Sequence, residues 1–214
     1  MEELERTKGT LVLEDESGLS LVPLVGRTWA PKGETPLLRC SMRKRERLAT
    51  IGGITPKGRI YFRVHEETIK SPQIIEYLSE LLRHIRGHIV LVWDNGSTHT
   101  SHLTQAFLES VKERLTVFYL PAYFPKLNPT EYLWTYIKWA KMKDYCPMGI
   151  PQLKGKLYAC VRSIRGNPRK VRSFFDVSPM PMGRDAELKV QKLLSDPDAA
   201  NRNWTRERTN YKIR

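Results

Sequence analysis

Ile89-Val90-Leu91-Val92-Trp93 is a five-residue apolar run that stops abruptly at Asp94. It has no polar face to give to water, so it predicts a strand covered on both sides, as inside a parallel sheet flanked by crossover helices. Open α/β sheets gather ligands at the carboxyl ends of their strands, and Asp94 stands at that end. Asp94-Asn95-Gly96 is also strong turn chemistry, so local sequence leaves a structural and a functional aspartate both open.

The rest of the chain is compatible with such a sheet. Residues 10–14 read as a strand, followed by a Ser17-Gly18 turn and a second apolar run at 19–25. Residues 26–36 are turn-rich, while 48–54 and 59–64 read as a hairpin around Thr55-Pro56-Lys57-Gly58. Ser71-Pro72 opens a helix in which Ile74, Ile75, Leu78, Leu81, Leu82 and Ile85 recur at helical spacing. A helix is expected at 100–114, a strand at 115–120, a helix from Asn128 to about 144, and a basic helix at 151–165. The order predicts an α/β fold, an antiparallel meander followed by βαβ units.

The 214-residue length admits one large domain: 1–175 as the folded unit, and 176–214 as a polar extension with one short helix at 185–194. Cys40, Cys146 and Cys160 are odd in number and widely spaced, which argues against a disulfide framework or a structural zinc site and for a reducing cytoplasm. The acidic start has no signal-peptide pattern, and no apolar stretch is long enough to span a bilayer, so no membrane role is expected. The formal net charge of +13 favours a polyanionic partner, nucleic acid before an anionic membrane.

Two more carboxylates join Asp94. Strand alternation puts Leu11, Leu13 and Asp15 on one face of the first strand and Val12, Glu14 and Glu16 on the other. Glu131 follows Asn128-Pro129-Thr130, where Asn128 caps the helix and a third-position glutamate suits the macrodipole. Capping and a cleft-facing role are compatible there. Two strand-end aspartates and a helix-borne glutamate on a basic chain fit two-metal phosphoryl chemistry, because hard cations prefer carboxylate oxygens.

The segments LEDES (13–17), GRTWAPKGETP (26–36), RERLATIGGITPKGRIYFR (45–63), VLVWDNGSTHTS (90–101) and LPAYFPKLNPTEYLW (120–134) resemble, in order, DDE transposases of the Tc/mariner superfamily, in its bacterial insertion-sequence branch. The resemblance runs from about residue 8 to Phe175, and 36 residues separate Asp94 from Glu131. It implies a ribonuclease H-like fold with a mixed five-stranded sheet flanked by helices. It implies Mg²⁺ or Mn²⁺, two ions, held by Asp15, Asp94 and Glu131, with cleavage at transposon ends and strand transfer to target DNA. Asn95, His99 and Asn128 match supporting positions, His99 as an aid to the metal site or as helix-start packing, and Asn128 with Pro129 to orient the helix that carries Glu131. A nuclease that only hydrolyses, and a DNA-binding relic without catalysis, remain as alternatives.

The implied partners are double-stranded DNA, as transposon ends and target, and a second copy of the chain. Only 14 residues precede Asp15, too few for a helix-turn-helix reader, so a separate helix-turn-helix protein or domain joins the expected partners. The expected location is the bacterial cytoplasm, with the nucleoid. Arg43, Lys44, Arg45 and Arg47 form one basic cluster, and Arg162, Arg165, Arg169, Lys170 and Arg172 a second, both candidates for phosphate contact. Trp29, Trp134 and Trp139 are expected as core or interface anchors.

Overall fold

The computed structural model describes residues 9–34, 36–38, 40, 46–120 and 127–178. Five strands, β1 (Thr10–Ser20), β2 (Arg47–Ile54), β3 (Ile60–His65), β4 (Ile89–Trp93) and β5 (Leu115–Tyr119), form one mixed sheet in the order β3-β2-β1-β4-β5. β1 pairs antiparallel with β2 and parallel with β4, and β4 pairs parallel with β5. The run at 89–93 is therefore a central strand with neighbours on both edges, as its apolar sequence requires.

β1 corrects one expectation. Ser17-Gly18 does not turn; it stays in register with Thr50 and Ala49 of β2, and the Thr50 hydroxyl donates to the Ser17 carbonyl at 2.7 Å. A long antiparallel partner satisfies backbone groups that a turn would otherwise have closed on themselves. The β2–β3 hairpin is as expected, closed by Gly58 N–H donating to the Thr55 carbonyl at 2.9 Å, with Gly58 at φ +85°.

Helices cover both faces. α1 (Ser71–His84) and α2 (His102–Ser110) lie on one face, with Val12, Ile51, Leu91 and Trp93 in their core. On the other lie α3 (Pro129–Thr135), a π-helical stretch (Tyr136–Lys141), α4 (Ile150–Arg165) and α5 (Pro168–Val177), packed with Leu13, Leu48 and Ile54. Val12 and Leu13 are both fully buried yet belong to different cores, which is the alternation of a strand covered on two sides.

Three details differ from the sequence reading. The helix after Asn128 does not run on in α form but widens into the π-helical turn. α5 appears where no helix was expected, opened by the Asn167 side chain accepting from Lys170 N–H and by Pro168 in the first turn. Cys40 and Cys146 form a disulfide with Cα atoms 4.9 Å apart, contrary to the expectation of unpaired thiols. Tertiary proximity across 106 residues brings them together, and no spacing rule reports it. Cys160 is free and buried. Among the described residues no helix is long and apolar enough to cross a membrane. The helix expected at 185–194 lies outside the described residues.

Candidate metal centre

Parallel pairing matches Leu13 of β1 with Val92 of β4. Two residues further along each strand stand Asp15 and Asp94, where β4 has ended and β1 continues beside β2. The start of α3 is fastened to the backbone just before Asp15. Thr130 Oγ1 donates to the Leu13 carbonyl and Asn128 Nδ2 to the Glu14 carbonyl, each at 2.7 Å. The Asn128 side-chain oxygen also accepts from Thr130 N–H at 3.1 Å, capping the helix. Glu131 is the next residue, so capping and docking together carry its carboxylate to the aspartates.

Gly52 of β2 stands opposite Asp15, and a methyl group there would lie 2.7 Å from the Trp134 ring. Trp134, one turn beyond Glu131, is 2% exposed. The glycine thus makes room for an indole that floors the acidic site.

The three carboxyl groups sense one another. Burial, with the charges of Glu131, Glu16 and Asp94 added, pushes the Asp15 carboxyl up to about 8, while Trp134 acts in the opposite sense. Burial raises Glu131 too, opposed by Lys138 and reinforced by Asp94. Asp94 moves the other way, held low by its hydrogen bonds from His99 and Gly96 N–H despite some burial. Asp15 Oδ2 is buried and has no hydrogen-bond partner among the described residues. An unpartnered buried carboxylate oxygen, in a set offering only carboxylates, fits a hard divalent cation.

His99 braces this centre from behind. Its Nδ1 lies 2.9 Å from Asp94 Oδ1, and its Nε2 3.1 Å from Glu16 Oε1 and 3.6 Å from Glu14 Oε2. The ring stacks on Trp93, centroids 4.1 Å apart and planes 6° from parallel. Burial alone would lower its pKa, but the hydrogen bonds to Asp94 and Glu16 and the charge of Glu14 outweigh that and raise it to about 11.

A family model described as DDE superfamily endonuclease matches residues 10–145, which contain all three acidic residues. The chain belongs to that family. Among solved structures, the mariner Mos1 paired end complex with Mg is similar at a TM-score of 0.61 and 18% identity, over 78% of this chain and 52% of that one. The Mos1 strand transfer complex is similar at 0.57 and 18%, over 85% and 58%. The catalytic domain of Mos1 mariner transposase gives 0.51 and 16%, over 85% and 89%. At these identities the likeness is one of fold, the ribonuclease H-like sheet with flanking helices. The chain spans about three-fifths or less of the protein chains in the Mos1 DNA complexes. No curated protein matches.

Within this member of the family, the other residues singled out from sequence are placed less uniformly. Asn95 Nδ2 bonds the Leu120 carbonyl at 3.4 Å, tying the β4 end to the β5 end. Arg47 begins β2, exposed, with its guanidinium 3.4 Å from Thr68 Oγ1; Arg43, Lys44 and Arg45 lie outside the described residues. Arg162 and Arg165 close α4, and Arg169 and Arg172 project from α5, all exposed. Lys170 instead sits over the Tyr136 ring at 4.4 Å. Trp134 is a core anchor, Trp139 is half exposed, and Trp29 is fully exposed and anchors nothing in the core of this chain.

Glu14 and Glu16 were not singled out from sequence, although alternation had already placed them together on the face opposite Asp15. The usable signal was His99 following Asp94 by five residues, near enough to turn back onto β1.

Proposed function

We propose that the chain is the catalytic domain of a Tc/mariner-type DNA transposase of the bacterial insertion-sequence branch, acting in the cytoplasm on nucleoid DNA. Its substrates are double-stranded DNA at transposon ends and at the target, and it works as a homodimer, with a helix-turn-helix protein or domain reading the transposon ends. The observation that carries this reading is Asp15, half buried with an unpartnered oxygen, beside Asp94 and Glu131 on a positively charged chain. The similar Mos1 structures include a strand transfer complex, a pre-cleavage transpososome, and paired end complexes with Mg and with Mn.

Asp15, Asp94 and Glu131 would hold two Mg²⁺ or Mn²⁺ ions, which supply charge for activating a nucleophilic oxygen and stabilising a leaving oxygen in an in-line displacement. The chain's own contribution is preorganisation. His99 fixes the Asp94 carboxylate, while Asn128 and Thr130 fix the helix bearing Glu131. Arg47, Arg162, Arg165, Arg169 and Arg172 give sequence-independent phosphate affinity, and Lys170 adds charge beside them.

The test is nicking and end joining of a supercoiled donor plasmid in Mn²⁺ and in EDTA, with Asp94→Asn beside the unsubstituted chain and a helix-turn-helix partner supplied. Metal-dependent joined product, lost in the variant, is expected. Cleavage without joining would make the chain a hydrolytic nuclease instead. Salt-sensitive DNA binding with no cleavage would make it a non-catalytic relic.

A further inference from the structure

On the opposite face of β1 from the triad, Glu14, Glu16 and His99 each offer a ligand atom, and these atoms lie within 4.8 Å of one another. We propose that this cluster is a second divalent-metal site, of the imidazole-plus-carboxylate class that takes Mn²⁺ or Zn²⁺, joined to the catalytic centre through the His99–Asp94 hydrogen bond. The acidic cluster does not stand alone. Glu14 is fully buried, and neither carboxylate oxygen has a hydrogen-bond partner among the described residues. His99 Nε2 lies 3.6 Å from Oε2, so the carboxylate points into the cluster. A buried carboxylate that accepts no hydrogen bond and has only a 3.6 Å contact with an imidazole is costly, and a bound cation lowers that cost.

Two further buried polar atoms on this face, Tyr77 Oη and Trp93 Nε1, also lack partners among the described residues. The Tyr77 hydroxyl is close by, since a methyl group on Gly53, the residue paired with Glu14, would lie 2.4 Å from it. His99 is already arranged as a ligand. Metal-bound imidazoles commonly give their other ring N–H to a carboxylate, which fixes tautomer and orientation. Here Nδ1 meets Asp94 Oδ1 while Nε2 faces Glu14 and Glu16, and the Trp93 stack holds the ring plane. Glu16 keeps 24% of its side chain exposed, giving an ion a way in. On binding, the Nε2 proton leaves to solvent and Nδ1–H continues to donate to Asp94. The triad supplies carboxylates alone, whereas this cluster adds a nitrogen, which shifts preference away from Mg²⁺.

The site is independent of the transposase reading, and its test keeps the two apart. Mn²⁺ alone is the probe, counted by equilibrium dialysis, with pulsed electron paramagnetic resonance reporting nitrogen coupling to the bound ion. The unsubstituted chain and an Asp15→Asn/Glu131→Gln double variant should both show one nitrogen-coupled Mn²⁺. Glu16→Gln and Glu14→Gln should weaken that ion at least about tenfold while near-ultraviolet circular dichroism is unchanged. Glu16→Gln, at a partly exposed position, keeps the test valid if Glu14→Gln does not fold. Absence of nitrogen coupling in the unsubstituted chain, or equal Mn²⁺ binding in both Gln variants, overturns the proposal and leaves His99 as a protonated clamp on Asp94. A double variant that keeps the full Mn²⁺ count supports this site and counts against the triad.

Discussion

The side chain of Asn128 donates to the backbone carbonyl of Glu14 at 2.7 Å, joining residues 114 apart in sequence and one residue short of Asp15. Beside it, Thr130 makes the same kind of bond to Leu13. The helix carrying Glu131 is thus positioned by polar contacts to the strand carrying Asp15, and not by apolar packing alone.

Asn128→Ala removes a helix cap and leaves a buried carbonyl without its donor. Typical costs of these losses, each of order 1 kcal/mol or more, put the destabilisation at about 2–4 kcal/mol. Asn128→Asp keeps the capping acceptor but loses the donor, so it separates the two effects. Urea unfolding measures the stability loss, and Mn²⁺ titration should show weaker binding in both variants because Glu131 is no longer held. Unchanged metal affinity in Asn128→Ala would show that Glu131 is placed by something else.

Gly52→Ala should destabilise by roughly 1–3 kcal/mol, because the added methyl meets the buried Trp134 ring at 2.7 Å. The strain falls directly beneath Asp15, so metal affinity should drop with it. Gly155→Ala is the contrasting control. It lies in α4 with nothing within 4 Å of the added methyl, and should stabilise by about 0.5–1 kcal/mol. Thermal melts of the two variants should therefore move in opposite directions.

Much of this arrangement was legible in the sequence. The apolar run at 89–93 fixed β4 and its Asp94 end, and alternation assigned Asp15 and Leu13 to one face of β1. Asn128-Pro129 located the helix that bears Glu131. What stayed hidden depended on register and tertiary proximity. Ser17-Gly18 reads as a turn until β2 lies alongside it, and Glu14 and Glu16 look like a solvated acidic patch until the turn after β4 brings His99 against them. The Cys40–Cys146 pairing and the fit of Trp134 over Gly52 are likewise contacts between segments that no local pattern connects.

Stability of the metal-free protein should fall as pH rises from about 5 to 9. Asp15 is raised from 3.8 to about 8 on folding and His99 from 6.5 to about 11. A raised pKa contributes stability that is complete below the unfolded value and is lost as pH rises through the folded one, so both groups act in the same direction. For Asp15 the loss runs from about pH 4 to 8 and is on the order of a few kcal/mol. Asp15→Asn should flatten that part of the melting-temperature profile. Mn²⁺ requires ionised carboxylates, so it should raise the melting temperature more at pH 8 than at pH 5. Equal stabilisation at both pH values would argue against Asp15 as a ligand.

The exposed arginines of α4 and α5 make a separate, electrostatic prediction. Arg162, Arg165, Arg169 and Arg172 have their charge in solvent, whereas Lys170 is committed to the Tyr136 ring at 4.4 Å. Removing one phosphate-binding charge should make the plot of log affinity against log salt shallower by about 0.9, whatever the DNA sequence. Arg165→Gln and Arg169→Gln should each show this change with unaltered melting temperature. Lys170→Gln should mainly lower stability, by about 0.5–1 kcal/mol, because the nearer of two cations over the Tyr136 ring is lost and Lys141 remains only at 5.6 Å. A salt slope that is unchanged when all four arginines are replaced by glutamine would move the DNA path away from this face and toward the β2 edge, where Arg47 stands.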